Sequence, residues 1–243
     1  MEISTENEQQ QATYLDPTTL LDFESLPIQK LVHKREWLSI TSKSELIEAV
    51  YNFVRDEIPY GFNNKLNLTA SQILAEGYGQ CITKTTLLMA LFRAVSIPCR
   101  FHGFTIDKVV QRGILKGIGY KLTPGQIYHS WVEIQFNNSW IKLEGHIVDR
   151  PYLDKLRGMF PNYMGSFYAY GIAVLNFKNP PIHWMEEHTY IQKQAIERDL
   201  GIFDSPDSFF TKYPGATARE KSLVYRQFVQ TSINKNIQKI RET

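Results

Sequence analysis

The sequence predicts an α+β fold in which helices precede an antiparallel sheet, and three observations carry that expectation. Apolar residues recur at helical spacing between Leu46 and Val95. Beyond Pro98 the pattern changes to alternation, rich in Trp, Ile, Val and Phe. Asn137-Asn138 then supplies a hairpin turn between two such runs. Taken in order, Ser42-Lys43-Ser44-Glu45 has the form of a capping box and opens a helix carrying Leu46, Ile47, Val50, Phe53, Val54 and Ile58 until Pro59 stops it. A second helix starts at Thr69, capped through Gln72, and ends at the Gly77-Tyr78-Gly79 turn. A third follows at once and runs to about Ser96, with Leu87, Leu88, Leu91, Phe92 and Val95 on one stripe. Strands are expected at Cys99 to Ile106, Tyr128 to Phe136 and Ser139 to Glu144.

The connection from Asp107 to Gln126 is basic and glycine-containing, either a flap beside a site or a solvated hairpin tip. A helix is expected around Pro151 to Leu156, whereas the aromatic stretch from Met159 to Trp184 assigns itself to no element. Thr217 to Arg241 places Leu223, Val224, Val229, Ile233, Ile237 and Ile240 near helical spacing, an amphipathic helix. Residues 1–13 are polar, and Tyr14 to Val32, broken by Pro17 and Pro27, reads as extended chain wrapped on a body. The 243 residues thus divide into an N-terminal arm (1–40), a core (41–160) and a C-terminal extension packed on it (161–243), together one globular unit.

Composition narrows the function. Hydrophobic residues make up 43% and charged residues 21%, enough apolar chain for a proper core. A net charge of +2 is too small for the basic surface that nucleic acid requires. Leu87 to Phe92, the longest apolar run of the first half, is far short of a membrane span. The N-terminus lacks the basic and apolar regions of a secretory signal, so a cytoplasmic location is expected, with neither membrane nor nucleic acid as partner. Two cysteines, Cys81 and Cys99, make neither a disulfide scaffold nor a four-thiolate zinc site.

Cys81 falls at the first turn of the third helix, where unpaired amides and the positive end of the helix dipole favour a thiolate. His129 lies on the second strand and Glu144 at the end of the third. A hairpin turning at Asn137-Asn138 brings them within a small register offset of direct opposition, where a carboxylate can hold the imidazole in the tautomer that accepts a proton from sulfur.

These residues resemble a known family. Gly77-Tyr78-Gly79-Gln80-Cys81, the helix end Leu91-Phe92-Arg93-Ala94-Val95-Ser96-Ile97-Pro98-Cys99-Arg100-Phe101, then His129-Ser130-Trp131-Val132-Glu133 and Trp140-Ile141-Lys142-Leu143-Glu144, are similar to the transglutaminase-like superfamily. Val54-Arg55-Asp56-Glu57-Ile58-Pro59-Tyr60 and Asp204-Ser205-Pro206-Asp207-Ser208-Phe209-Phe210 resemble its small bacterial members. The resemblance implies a papain-like fold, residues 41–160 as its catalytic core, and covalent acyl-enzyme chemistry with no cofactor and no metal. It assigns Cys81 as nucleophile, His129 as general base and then acid, and the Glu144 position to the family's aspartate. Glutamate departs from that pattern, and Asp149 is the alternative orienting carboxylate; the hairpin register favours Glu144. Beside the Cys81 N–H, a polar side chain from Tyr60 to Asn64 is one candidate for the second oxyanion donor, and nothing in the sequence selects it.

The reading that follows is a thiol hydrolase of peptide, protein or small-molecule amides. An amide-forming acyltransferase or transglutaminase and a non-catalytic binding module are the alternatives. Trp131 and Trp140 read as core aromatics. His183 and His188 are spaced wrongly for a zinc helix. His102, His146 and Cys99 read as structural residues or site neighbours.

Overall fold

The computed structural model describes residues 13–221 and 230–242. The polar residues before Thr13 and the positions Leu223, Val224 and Val229 lie outside the described residues. Helix α1 (Leu26–Lys34) occupies part of what the sequence suggests is extended chain. Its Pro27 sits in the first turn, where a missing N–H costs nothing, and Ile28 and Val32 are buried. Helix α2 (Lys43–Asn52) starts where Ser42 accepts the Glu45 N–H. It then widens into a π-turn over Phe53–Glu57 rather than continuing to Ile58. That turn frees the Arg55 carbonyl, which accepts a hydrogen bond from the buried Lys84 Nζ at 3.1 Å.

Helix α3 (Ala70–Glu76) carries the full capping box of Thr69 and Gln72 and ends at Gly77, whose φ of +72° belongs to the left-handed cap that glycine adopts without strain. Helix α4 (Cys81–Ala94) begins at the cysteine. It is buried on every side from Ile82 to Arg93, including Thr83, Lys84, Thr85 and Thr86, so the expected one-sided stripe is instead a central pillar. Each fully buried Leu or Phe along it contributes about 1.5–3 kcal/mol.

Strands β1 (Cys99–Asp107), β2 (Gln126–Phe136) and β3 (Ser139–Leu143) form an antiparallel sheet. Asn137 and Asn138 both adopt positive φ in the hairpin turn, and the register pairs Phe136 with Ser139 and Val132 with Leu143. The 107–126 connection holds a 3₁₀ turn (Lys108–Gln111) and helix α5 (Gly117–Leu122). Helix α6 (Arg150–Met159) follows, with Asp149 as its N-cap. The aromatic stretch resolves into a small hairpin, β4 (Phe167–Ala169) with β5 (Ile172–Val174). Strand β6 (Ile196–Phe203) completes the four-stranded sheet in the order β3-β2-β1-β6. Helix α7 (Pro206–Lys212) carries Asp207, which accepts the Leu20 N–H, and helix α8 (Thr231–Glu242) closes the chain.

Two apolar clusters organise this mixed helix and antiparallel-sheet architecture. One joins α4 to the sheet through residues such as Leu88, Phe92, Phe101 and Val132. The other gathers Tyr60, Phe62, Tyr152 and Leu153 with Ile233 and Ile237 of α8. Cys81 packs against both. Among the described residues no helix is long and apolar enough to cross a membrane.

Candidate active site

The sequence around Cys81 folds as it does because the chain must pass close to the first turn of α4. A Cβ on Gly79 would lie 2.8 Å from Thr83 Oγ1 and 2.9 Å from Lys84 Cγ, so this position admits glycine alone without displacement. The Gly79 N–H donates to the Pro59 carbonyl and its own carbonyl accepts the Gly61 N–H, both at 3.0 Å. Asn63 fastens the same turn: its Oδ1 accepts from Thr83 Oγ1 at 2.6 Å, and its amide donates to Glu76 and to the Tyr78 carbonyl. Asn63 therefore has no amide hydrogen left for an oxyanion, and Asn64 is exposed, so neither asparagine of that candidate segment fits as the second donor. The N-cap residue Gln80 lines the cavity beside Cys81, and its Oε1 accepts the Asn63 N–H at 2.7 Å.

His129 and Glu144 are fully buried and bonded to each other, Nε2 to Oε1, at 2.7 Å. Glu144 follows the last residue of β3, and its second oxygen accepts three backbone N–H groups: Ile191 at 2.8 Å, Gln192 and Lys193 at 3.0 Å each. Both oxygens of a buried carboxylate are thus satisfied, as its survival in an apolar interior demands. The other ring nitrogen, Nδ1, has no partner in hydrogen-bond geometry among the described residues, yet Cys81 stands close enough to act on the ring. Burial opposes protonation of His129. Cys81 and Glu144 together outweigh it and push the imidazole pKa up to about 9. The Cys81 Sγ lies 3.9 Å from the Tyr128 carbonyl, on the residue that precedes His129.

Asp149, the alternative carboxylate, has a different task. It caps α6 through the Tyr152 N–H, accepts the Tyr60 N–H at 2.8 Å, and receives both Arg241 amino groups at 2.6 and 2.7 Å. Burial raises its pKa, but Arg241, Lys84 and the Tyr60 amide outweigh that and hold it below the usual carboxylate value. His102 pairs with Glu133 at 2.7 Å and Asp199 at 2.9 Å, and Arg100 also reaches Glu133. Trp131 lies against His102 and Phe104, while Trp140 lies under Arg100. The His188 ring accepts the Lys142 N–H, and Cys99 is buried with its thiol toward the Met89 carbonyl. No three His, Cys, Asp or Glu side chains among the described residues are grouped to hold a metal.

Two features around the site, Lys84 and residues 191–193, escape the sequence patterns, while His146 reads from sequence only as a structural residue or site neighbour. Lys84, fully buried behind the cysteine, has its pKa pushed down to about 7 by burial, with Asp149 and Asp56 opposing. His146 is buried against Thr85 and is lowered further by burial and by its cationic neighbours Lys84 and His129. Residues 191–193, which hold Glu144, carry no motif; the only sequence signal was the demand of a buried glutamate for donors.

A cavity of about 350 Å³ opens at Cys81, with walls that include Phe62, Ile106, Val110, Gln111 and Gln192. Cys81, at a helix N-terminus, therefore lines a mostly apolar pocket, and the buried, mutually bonded His129 and Glu144 lie outside that lining.

Against known proteins, residues 35–145 match the transglutaminase-like superfamily model. No curated protein matches the chain. Solved structures that resemble parts of it include the following two. A candidate cysteine protease from Cytophaga hutchinsonii shares 23% identity over 57% of this chain and 43% of its own, with a TM-score of 0.43. Red sea bream transglutaminase shares 14% identity over 54% of this chain and 25% of its own, with a TM-score of 0.31. The match spans less than half the length of either protein.

Proposed function

Since residues 35–145 match the transglutaminase-like superfamily model, we propose that the protein is a cysteine-dependent acyl-transfer enzyme that hydrolyses amide or isopeptide bonds through a Cys81–His129–Glu144 triad. The observation that carries this reading is His129 itself, a fully buried imidazole bonded to Glu144 on one nitrogen and raised in pKa by both Glu144 and Cys81, of which Cys81 lines the cavity. Cys81 sulfur attacks the amide carbonyl carbon, and a C–S bond forms while the carbonyl electrons move to oxygen. The Cys81 N–H, free at the first position of α4, faces that charge, and we assign the Gln80 side-chain amide as the second donor. His129, proton-loaded at neutral pH, passes its proton to the leaving nitrogen as the C–N bond breaks. Water then attacks the thioester, His129 takes its proton, and the acid leaves as the thiol is restored. An amine entering in place of water would make a new amide, the acyltransferase outcome. The two unpaired thiols fit the reducing cytoplasm.

Iodoacetamide at neutral pH, with peptide mass analysis, tests the reading. Cys81 is expected to be modified at least about tenfold faster than the buried Cys99, and His129→Ala to suppress the difference. Equal slow labelling of both thiols favours a binding module and removes the enzyme. A thioester-forming substrate offered with and without a primary amine separates hydrolase from transferase, since indifference to amine excludes transfer.

A further inference from the structure

We infer that Asn234, on the C-terminal helix α8, is a positioning residue for the oxyanion site: it fixes the Phe62–Asn63 peptide, whose N–H orients the Gln80 side chain beside Cys81. The inference rests on acylation of Cys81 with Gln80 as the second donor, as proposed above. The Gln80 Oε1 accepts the Asn63 N–H at 2.7 Å, and an N–H only donates, so the amide has one orientation and Nε2 is its other end. That Nε2 makes no hydrogen bond among the described residues, yet it is not one of the buried atoms left without a partner. It therefore keeps accessible surface, on a residue that lines the cavity with Cys81.

A bond to a backbone N–H holds a side chain only as firmly as that peptide is held. The Phe62 carbonyl and the Asn63 N–H belong to one planar group and point to opposite sides of it. Asn234 Nδ2 donates to that carbonyl at 2.9 Å and Gln230 Nε2 at 2.6 Å. Asn234 Oδ1 also accepts the Phe62 N–H at 2.8 Å, so one side chain grips both backbone groups of Phe62, and the two bonds settle its own orientation. Turning the peptide, and with it the Asn63 N–H, requires breaking these bonds. Helix α8 has other anchors: Ile233, Ile237 and Ile240 are buried, Arg241 pairs with Asp149, and Asn236 donates to the Ile114 carbonyl at 2.8 Å. Loss of the Asn234 side chain therefore loosens the peptide while the helix stays in place.

The test compares two reactions of Cys81 in the full chain. Acylation uses p-nitrophenyl acetate: a C–S bond forms, the carbonyl passes through an oxyanion, and p-nitrophenolate leaves and is followed by absorbance, with the rate of Cys81→Ser subtracted. Alkylation uses iodoacetamide, from which the same sulfur displaces iodide with no oxyanion on the path, and is read by peptide mass analysis. Gln80→Ala is expected to slow acylation about a hundredfold and Asn234→Ala about tenfold, while alkylation of Cys81 changes less than about twofold in both. When Asn234→Ala is added to Gln80→Ala, the further loss is expected to vanish, because both act through one donor. If Asn234→Ala fails to fold, Gln230→Ala, which removes the other donor to the same carbonyl, reads the same comparison. A fall in both reactions together makes Asn234 structural alone and overturns the inference, as does unchanged acylation or a full second loss in the double variant. Acylation untouched by Gln80→Ala removes that donor, and this inference with it, while the triad stands. A wild-type Cys81 that is alkylated and never acylated removes the proposed reaction itself.

Discussion

Glu144 and Asp149 are two buried carboxylates on one short stretch of chain, 0% and 1% exposed, each gripped by backbone N–H groups. What distinguishes them is the partner left over. Three amides occupy one oxygen of Glu144, so the other is free to meet an imidazole. Asp149 meets a guanidinium bidentately and two amides, and nothing of it remains for chemistry. A carboxylate whose last bond goes to a permanently charged arginine is fixed in structure. One whose last bond goes to a titratable ring can take part in proton transfer.

The sharpest way to break this comparison is Glu144→Gln. The side chain keeps its size but no longer stabilises the imidazolium, and its NH₂ competes with the ring N–H. Activity toward an amide is expected to fall roughly a thousandfold to ten-thousandfold, read as kcat/KM. A loss under tenfold would return Glu144 to a structural role. Asp149→Ala is the mirror experiment: it leaves Arg241 without its partner and α6 without its cap, and is expected to cost about 3 kcal/mol of stability in urea unfolding. The activity of the molecules that remain folded should change less than tenfold. The pH sign agrees: because the folded Asp149 pKa lies below its ordinary 3.8, its contribution is present above that value and lost as pH falls beneath it.

Most of what surrounds Cys81 is local in the chain, and for that reason it was legible. Capping residues at Ser42 and Thr69, the glycine cap at Gly77 and the start of α4 at Cys81 are decided within a few residues of themselves. The Asn137-Asn138 turn likewise sets the β2–β3 register, and with it the approach of His129 to Glu144. The carboxylate's setting is non-local. Its three amides come from residues nearly fifty positions further on, in a segment whose pattern resembles nothing in particular, and α8 reaches back so that Asn234 binds both backbone groups of Phe62. Periodicity also misjudged α4, because a helix enclosed on all sides buries Thr83, Lys84, Thr85 and Thr86, whose polarity suggests solvent. Lys84 gives no sign in sequence of being a buried amine.

The finest separation of the two carboxylates lies in the pH profile. His129 is held at about 9, above its ordinary 6.5, with Glu144 among the groups that raise it and Asp149 not among them. Amide cleavage needs the proton that His129 donates to a poor leaving group, whereas a p-nitrophenyl ester departs without one. The kcat/KM for a p-nitroanilide is therefore expected to decline as pH rises through about 9, and the ester to show no such limb. The same linkage makes the stability from this ring fully present below 6.5 and lost as pH climbs through 9. Glu144→Asp keeps the charge but draws it back by one methylene, so the alkaline limb should move to lower pH by a fraction of a unit to about one unit. Asp149→Asn should leave the limb where it is. A limb that shifts equally in both variants, or in neither, would mean that Glu144 does not stabilise the imidazolium and that the difference between the two carboxylates is one of packing alone.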